Sequence, residues 1–196
     1  MLLELNRLRN ETEAAITEKR ALGEGATATE WRKVELFIFA MIYELRMWLS
    51  LKEHNAGLAW SCFVTAQDNA VCAARVLADY APLVRLTAHL DDVEQVVFPK
   101  QHFVSPSITV NRDDFECSIC GKRGGCSHQP GFLYDGLIVG RIVHNIKSAR
   151  EVSLVTNPAS KRYRLVAFGH IDSLTGEKIQ EVSSMAKRVS RKRRRS

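Results

Sequence analysis

No run in the 196-residue chain is long and apolar enough to span a membrane. The best candidate, "LFIFAMIY" (Leu36–Tyr43), is closed off by Glu35 and Glu44, with Arg46 just behind. The opening "MLLELNRLRNETEAA" alternates charge with leucine and lacks the apolar core of a secretory signal, so the reading favours a cytoplasmic protein. No internal repeat is apparent, which argues against solenoids and propellers. Cysteine is scarce outside one segment: of five, only Cys62 and Cys72 lie elsewhere, in an apolar helical stretch where they read as small buried hydrophobes. A reducing compartment makes clustered thiols metal ligands before it makes them disulfides.

What the sequence has is a core and an uneven charge distribution. Hydrophobic residues make up 45% of the chain, which excludes global disorder. The net charge of +6 belongs to one end. The tail "KRVSRKRRRS" carries Lys187, Arg188, Arg191, Lys192, Arg193, Arg194 and Arg195 and no acid; without it, 21 basic residues face 22 acidic ones. Such a tail neutralises phosphates, and the partner it implies is nucleic acid. Lacking aromatics, it offers no base stacking or sequence readout, so binding would be weak, non-specific and salt-sensitive. The competing reading is a solvated, disordered terminus.

The expected fold class is α+β: an N-terminal helical bundle over residues 1–97, a small β-rich domain with a zinc knuckle over 98–180, and a disordered basic tail over 181–196. In the first half, Leu2, Leu3, Leu5, Leu8, Ala15 and Ile16 mark a helix to about Leu22, and "GEGATAT" breaks it. Thr29 reads as the N-cap of a second helix to about His54. Its apolar residues (Trp31, Val34, Phe37, Ile38, Met41, Ile42, Leu45, Trp48, Leu49) cover most of its surface, pointing to a central position or to self-association. A third helix is expected from about Leu58 to Tyr80, with Trp60, Phe63, Val64, Val71, Val76 and Leu77 inward, and Pro82 opens a fourth to about Val96. After Pro106 the signals are strand-like: "SITVNR", "GLIVGRIVHNI", "EVSLVTN" and "RYRLVAFGHI", with a turn at "LTGEK" beyond them.

The chemistry-bearing segment is "FECSICGKRGGCSH", with Cys117, Cys120, Cys126 and His128 spaced C-x2-C-x5-C-x-H. Two thiolates separated by two residues grip one ion from a tight turn, and Cys3His is an ordinary structural zinc set. Gly121 sits where such a turn needs positive φ, and Gly124 and Gly125 let the loop bring Cys126 and His128 to the same ion. Four protein ligands leave no place for a reacting water, so the reading is structural Zn2+. Disulfides or unrelated thiols are the competing readings. In "GFLYDG", Tyr134 is expected to pack over the site and bond to nearby backbone, with the flanking glycines letting the loop pass close to the metal.

The segment "CSICGKRGGCSHQPGFLYDGLIVGRIVHNI" followed by "EVSLVTNPASKRYRL" resembles a C-S-I-C-G…C-x-H-x-x-G-x-x-Y-x-G pattern of poorly characterised bacterial and phage proteins, over about half the chain. Its second part, Glu151–Ala159, is also similar to a late strand of the phage prohead serine proteases. That resemblance would imply a hydrolase, or the remnant of one, with a serine and a histidine upstream. Only Ser105 and Ser107, with His89 and His102, stand near those places, and none lies in a matching motif. No catalytic residue is therefore assigned. A buried strand ended by a proline turn, with Val152, Leu154 and Pro158 packing, explains "EVSLVTNPA" without catalysis. The function read from the sequence is a non-enzymatic zinc-binding adaptor with an unidentified protein partner.

Overall fold

In the computed structural model, four helices fill the first half of the chain: α1 (Leu2–Ala21), α2 (Gly25–Lys52), α3 (Ala56–Val76) and α4 (Ala81–Val97). The structure describes residues 1–76, 80–98, 100–158, 160–165, 167–171 and 178–182. Residues 183–196 of the basic tail, residues 174–177 of the "LTGEK" turn and Leu77 lie outside these, whereas Glu181 and Val182, expected in the disordered tail, end a strand. α2 packs along both α1 and α3, and α4 closes against α3. Among the described residues, no helix is long and apolar enough to cross a membrane.

Helix boundaries follow local chemistry at three of the junctions. Gly23, at φ +75°, turns the chain out of α1. His54, at φ +59°, ends α2, and the Asn55 side chain accepts a hydrogen bond from Leu58 N at 3.1 Å, capping α3. Pro82 occupies the first turn of α4, where its missing N–H costs nothing.

The start of α2 departs from the sequence reading. Thr29 is not its cap; the helix begins four residues earlier, at Gly25. A Cβ on Gly25 would lie 2.0 Å from the Asp135 carboxylate, so an acid from far downstream occupies the space beside the helix N-terminus. The Thr29 hydroxyl, already bonded to Gly25 O, accepts from Gly136 N at 2.9 Å.

The core lies between α2, α3 and α4. Trp60, Phe63, Leu90, Phe98 and Phe103 form its aromatic and aliphatic centre, and Leu36, Ala73 and Leu83 form a second cluster. Cys62 is buried and Cys72 half-buried, and desolvation pushes both thiols up, as structural cysteines require. Several residues expected inside are exposed: Leu3 and Leu8 on α1, Trp31, Val34, Trp48 and Leu49 on α2, and Val71 on α3. α1 and α3 take only part of the circumference of α2, so its apolar surface exceeds what they cover.

The second half is built as antiparallel pairs. β1 (Phe103–Thr109) pairs with β6 (Ser148–Val155), β2 (Phe115–Cys117) with β5 (Arg141–Val143), and β3 (Leu133–Tyr134) with β4 (Leu137–Ile138). These three ribbons nest, each lying in the chain inside the last. β7 (Ala167–Ile171) and β8 (Lys178–Val182) form a separate hairpin.

The faces of β6 reverse the expectation. Val152 and Leu154 are exposed, while Ser153 and Val155 turn toward the helices, with Val155 opposite the buried Phe103. The strand's role is to deliver the segment beyond it to the helices. Past Pro158, Lys161 pairs with Glu94 and donates to Gln67, and Arg162 holds Asp68 at 2.6 Å. Arg164 lies over the Trp60 ring at 5.2 Å, and Tyr163 points outward. Arg164, rather than Tyr163, therefore lies against the core, because a guanidinium can stack on tryptophan while its neighbour faces water.

The innermost hairpin binds the two halves together at its tip. Gly136 donates to Thr29, and its carbonyl accepts from Arg32 Nε at 2.8 Å. Gly136 has φ +73°, and a Cβ there would lie 3.1 Å from the carbonyl oxygen of Ala28. Gly136→Ala is expected to cost about 1–2 kcal/mol for the left-handed conformation alone, plus the displacement of the hairpin from α2. A urea midpoint unchanged by this substitution would show that the contact contributes nothing.

Candidate metal centre

Cys117 ends β2, and the chain then turns tightly: Gly121 N bonds to Cys117 O at 2.9 Å and Cys117 N to Lys122 O at 3.1 Å. Gly121, Gly124 and Gly125 all have positive φ, the backbone that this turn demands. Gly124 N bonds to Phe115 O, and Arg112 Nε donates to Gly124 O, fixing the return of the loop. Ser118 ties the turn to the far side of the ribbon, donating through N to Gly140 O and accepting through Oγ from Gly140 N.

These constraints bring the four sequence-predicted ligands together. The donor atoms of Cys117, Cys120, Cys126 and His128 lie within 4.8 Å of one another. His128 Nδ1 is 3.7 Å from the sulfurs of both Cys117 and Cys126. Donors about 2.3 Å from a central ion at tetrahedral corners are separated by about 3.7 Å, so these edges match a four-coordinate site. The cluster can hold a metal ion. Cys117 is buried and Cys120 and Cys126 are exposed, as in a clip at the surface.

The thiols differ electrically. Backbone N–H groups of Cys120 and Ile119 aim at Cys117 and lower its pKa to about 6. At Cys126 the backbone of His128 pulls the same way, but desolvation and the neighbouring sulfurs outweigh it, and the thiol is raised. Of these two thiols, Cys117 is the more readily ionised.

Tyr134, on β3, meets the His128 ring edge-on, with centroids 4.7 Å apart, and its hydroxyl accepts a long bond from Gln129 N at 3.4 Å. The flanking glycines do not face the metal site as expected. A Cβ on Gly131 would lie 2.7 Å from the Arg75 guanidinium on α3, and Gly136 abuts α2. Both allow close approach to helices, a requirement invisible without the tertiary contact.

Between Val104 and Leu165, the buried hydrophobic side chains are Cys117 and Val139 alone among the described residues. This half has almost no apolar core of its own. Strand pairing and its attachments to the helices join it to the rest of the chain.

The serines and histidines are not brought together. His89 Nε2 lies 2.8 Å from Glu44, joining α4 to α2. His102 is exposed and three residues from Ser105, about 10 Å along extended chain. Neither histidine hydrogen-bonds to Ser105 or Ser107 among the described residues.

Sequence reading missed the cations around the cluster. Arg112, Lys122 and Arg141 line a cavity of about 210 Å³ beside Cys117, Cys126 and His128. "GKRGG" was the available signal, but it reads equally as a solvated loop. The chain matches no protein family, no curated protein and no solved structure.

Proposed function

We propose that the protein is a zinc-binding adaptor without catalytic chemistry of its own, and that its basic tail attaches it to nucleic acid. The convergence of the three thiols and the imidazole, all within 4.8 Å of one another, carries this reading. Thiolates with one imidazole favour zinc over harder ions. Four protein donors fill its coordination and leave no position for a substrate or an activated water. Zinc then acts as a staple in a region with almost no core.

An adaptor also needs surfaces for partners. Trp31 and Val34 are exposed near the start of α2 and Trp48 and Leu49 near its end, and these apolar patches offer one to a protein or a second copy. The seven cations from Lys187 to Arg195 offer another, to phosphates.

Deleting residues 187–196 tests the second. With about 0.7 counterions released per single-strand phosphate neutralised, the deletion is expected to lower the salt slope of binding by up to about 5. Elution from immobilised single-stranded DNA should move to markedly lower salt while the circular dichroism spectrum is unchanged. Elution at the parent's salt concentration would overturn the tail's role.

A further inference from the structure

The chain's charge is divided by architecture as well as by the tail. Residues 1–97 carry ten basic and fourteen acidic side chains, whereas residues 98–165 carry ten basic and five acidic ones. In the second half the cations converge. Arg112, Lys122 and Arg141 line one concave surface; of the acids near it, Glu116 is already engaged by Arg123 and by His144 at 2.7 Å, and Asp113 lies beside Gly124. Lys122 and Arg141 are exposed, and neither has an ion-pair partner among the described residues. Three thiolates with a divalent ion contribute one negative charge, which leaves the surface positive.

Arg141 adds a feature a phosphate site does not need. Its guanidinium lies over the Phe115 ring, 5.6 Å from the centroid, on paired strands β2 and β5. The ring thus backs the guanidinium from one side, and the exposed side chain offers a planar cation of the kind on which an unpaired base stacks. Base pairs in a duplex are stacked already and cannot use it. An acidic peptide supplies charge but no ring system.

From this juxtaposition we infer that the cradle formed by Arg112, Lys122 and Arg141 is a structured binding site for single-stranded nucleic acid, with phosphates between the cations and a base on Arg141. It deepens the nucleic-acid reading above by placing part of the affinity on the folded domain. The tail gives long-range attraction, and the cradle gives a fixed point of contact.

The test uses the full chain with labelled oligo(dT) and oligo(U) of roughly 20 nucleotides, a length beyond one compact binding site. The variants are R112A/K122A/R141A, the single change Lys122→Glu, and each combined with the tail deletion. Lys122→Glu guards against misfolding, since its side chain is exposed, and metal content verifies each variant. The triple variant is expected to lower the salt slope by about 2 and to weaken binding at least about tenfold, the stacking share included. Lys122→Glu should give a smaller loss in the same direction. Poly-glutamate should compete poorly with the strands.

Binding by the triple variant and by Lys122→Glu equal to the parent's would overturn the cradle while leaving the tail reading intact. Residual binding by the tail-less chain that the three substitutions remove would support the cradle, even if the tail proved dispensable. For the tail-less chain, equal competition by poly-glutamate, or equal affinity for duplex DNA, would overturn assignment to an unpaired strand.

Discussion

Replacing Cys117 with serine is expected to abolish metal binding and to unfold the segment from Phe115 to Val143, leaving the helical half folded. Cys117 is the buried thiol of the cluster and the last residue of β2, and its donor atom lies 3.7 Å from His128 Nδ1. Structural zinc in small peptides contributes about 10–16 kcal/mol of apparent binding free energy near neutral pH. A region whose buried hydrophobic side chains are Cys117 and Val139 cannot replace that. The parent is expected to carry about one zinc per chain by elemental mass spectrometry. The variant should carry essentially none, with amide exchange across Phe115–Val143 rising to unprotected rates. A variant that retained stoichiometric zinc would show that Cys117 is not a ligand.

The same site predicts a pH dependence with a definite sign. Thiolates bind the ion and thiols do not, so the bound state holds fewer protons and affinity falls as pH falls. Cys117, lowered to about 6, stays available further into acid than Cys126, which is raised. Release would be followed with a chromogenic chelator during acid titration, and affinity independent of pH between about 8 and 5 would exclude thiolate ligation.

The second large effect is expected at Trp60. Its ring lies 5.1 Å from Phe98, 5.8 Å from Phe63 and 6.0 Å from Phe103, and its Nε1 donates to Lys161 O at 3.1 Å. It therefore touches α3, the end of α4, the start of β1 and the segment after β6. Trp60→Ala should cost about 3–5 kcal/mol from the cavity, with about 1 kcal/mol more for the lost hydrogen bond. Trp60→Phe should keep the ring packing and lose mainly the latter. Urea denaturation distinguishes them, and a Trp60→Ala cost below about 1 kcal/mol would show that the ring does not join the halves.

The four helices were legible because their apolar residues recur at helical spacing and because Gly23, Asn55 and Pro82 punctuate them with local chemistry. The metal ligands were legible because all four fall within twelve residues. What escaped depends on partners distant in the chain. Thr29 looks like a cap until Asp135 takes the place beside Gly25. Val152 and Leu154 look like core residues, because alternation gives a strand two faces without saying which is covered. The glycines of "GFLYDG" announce close approach but not that α2 and α3 are what approaches. Arg112, Lys122 and Arg141 lie up to 29 positions apart and become a group only when β2 pairs with β5.

The bond from Gly136 to Thr29 spans 107 positions, and that span sets a clock. At roughly 5–20 residues per second, a ribosome takes roughly 5–20 s to travel from one partner to the other. During that interval the first turns of α2 stand without Gly136, and Arg32 can meet only its local partner, Glu35. The helices can form while the chain is still emerging, but their junction with the metal-binding half cannot close until the hairpin arrives. Docking of the two halves is thus a late event in the birth of the molecule.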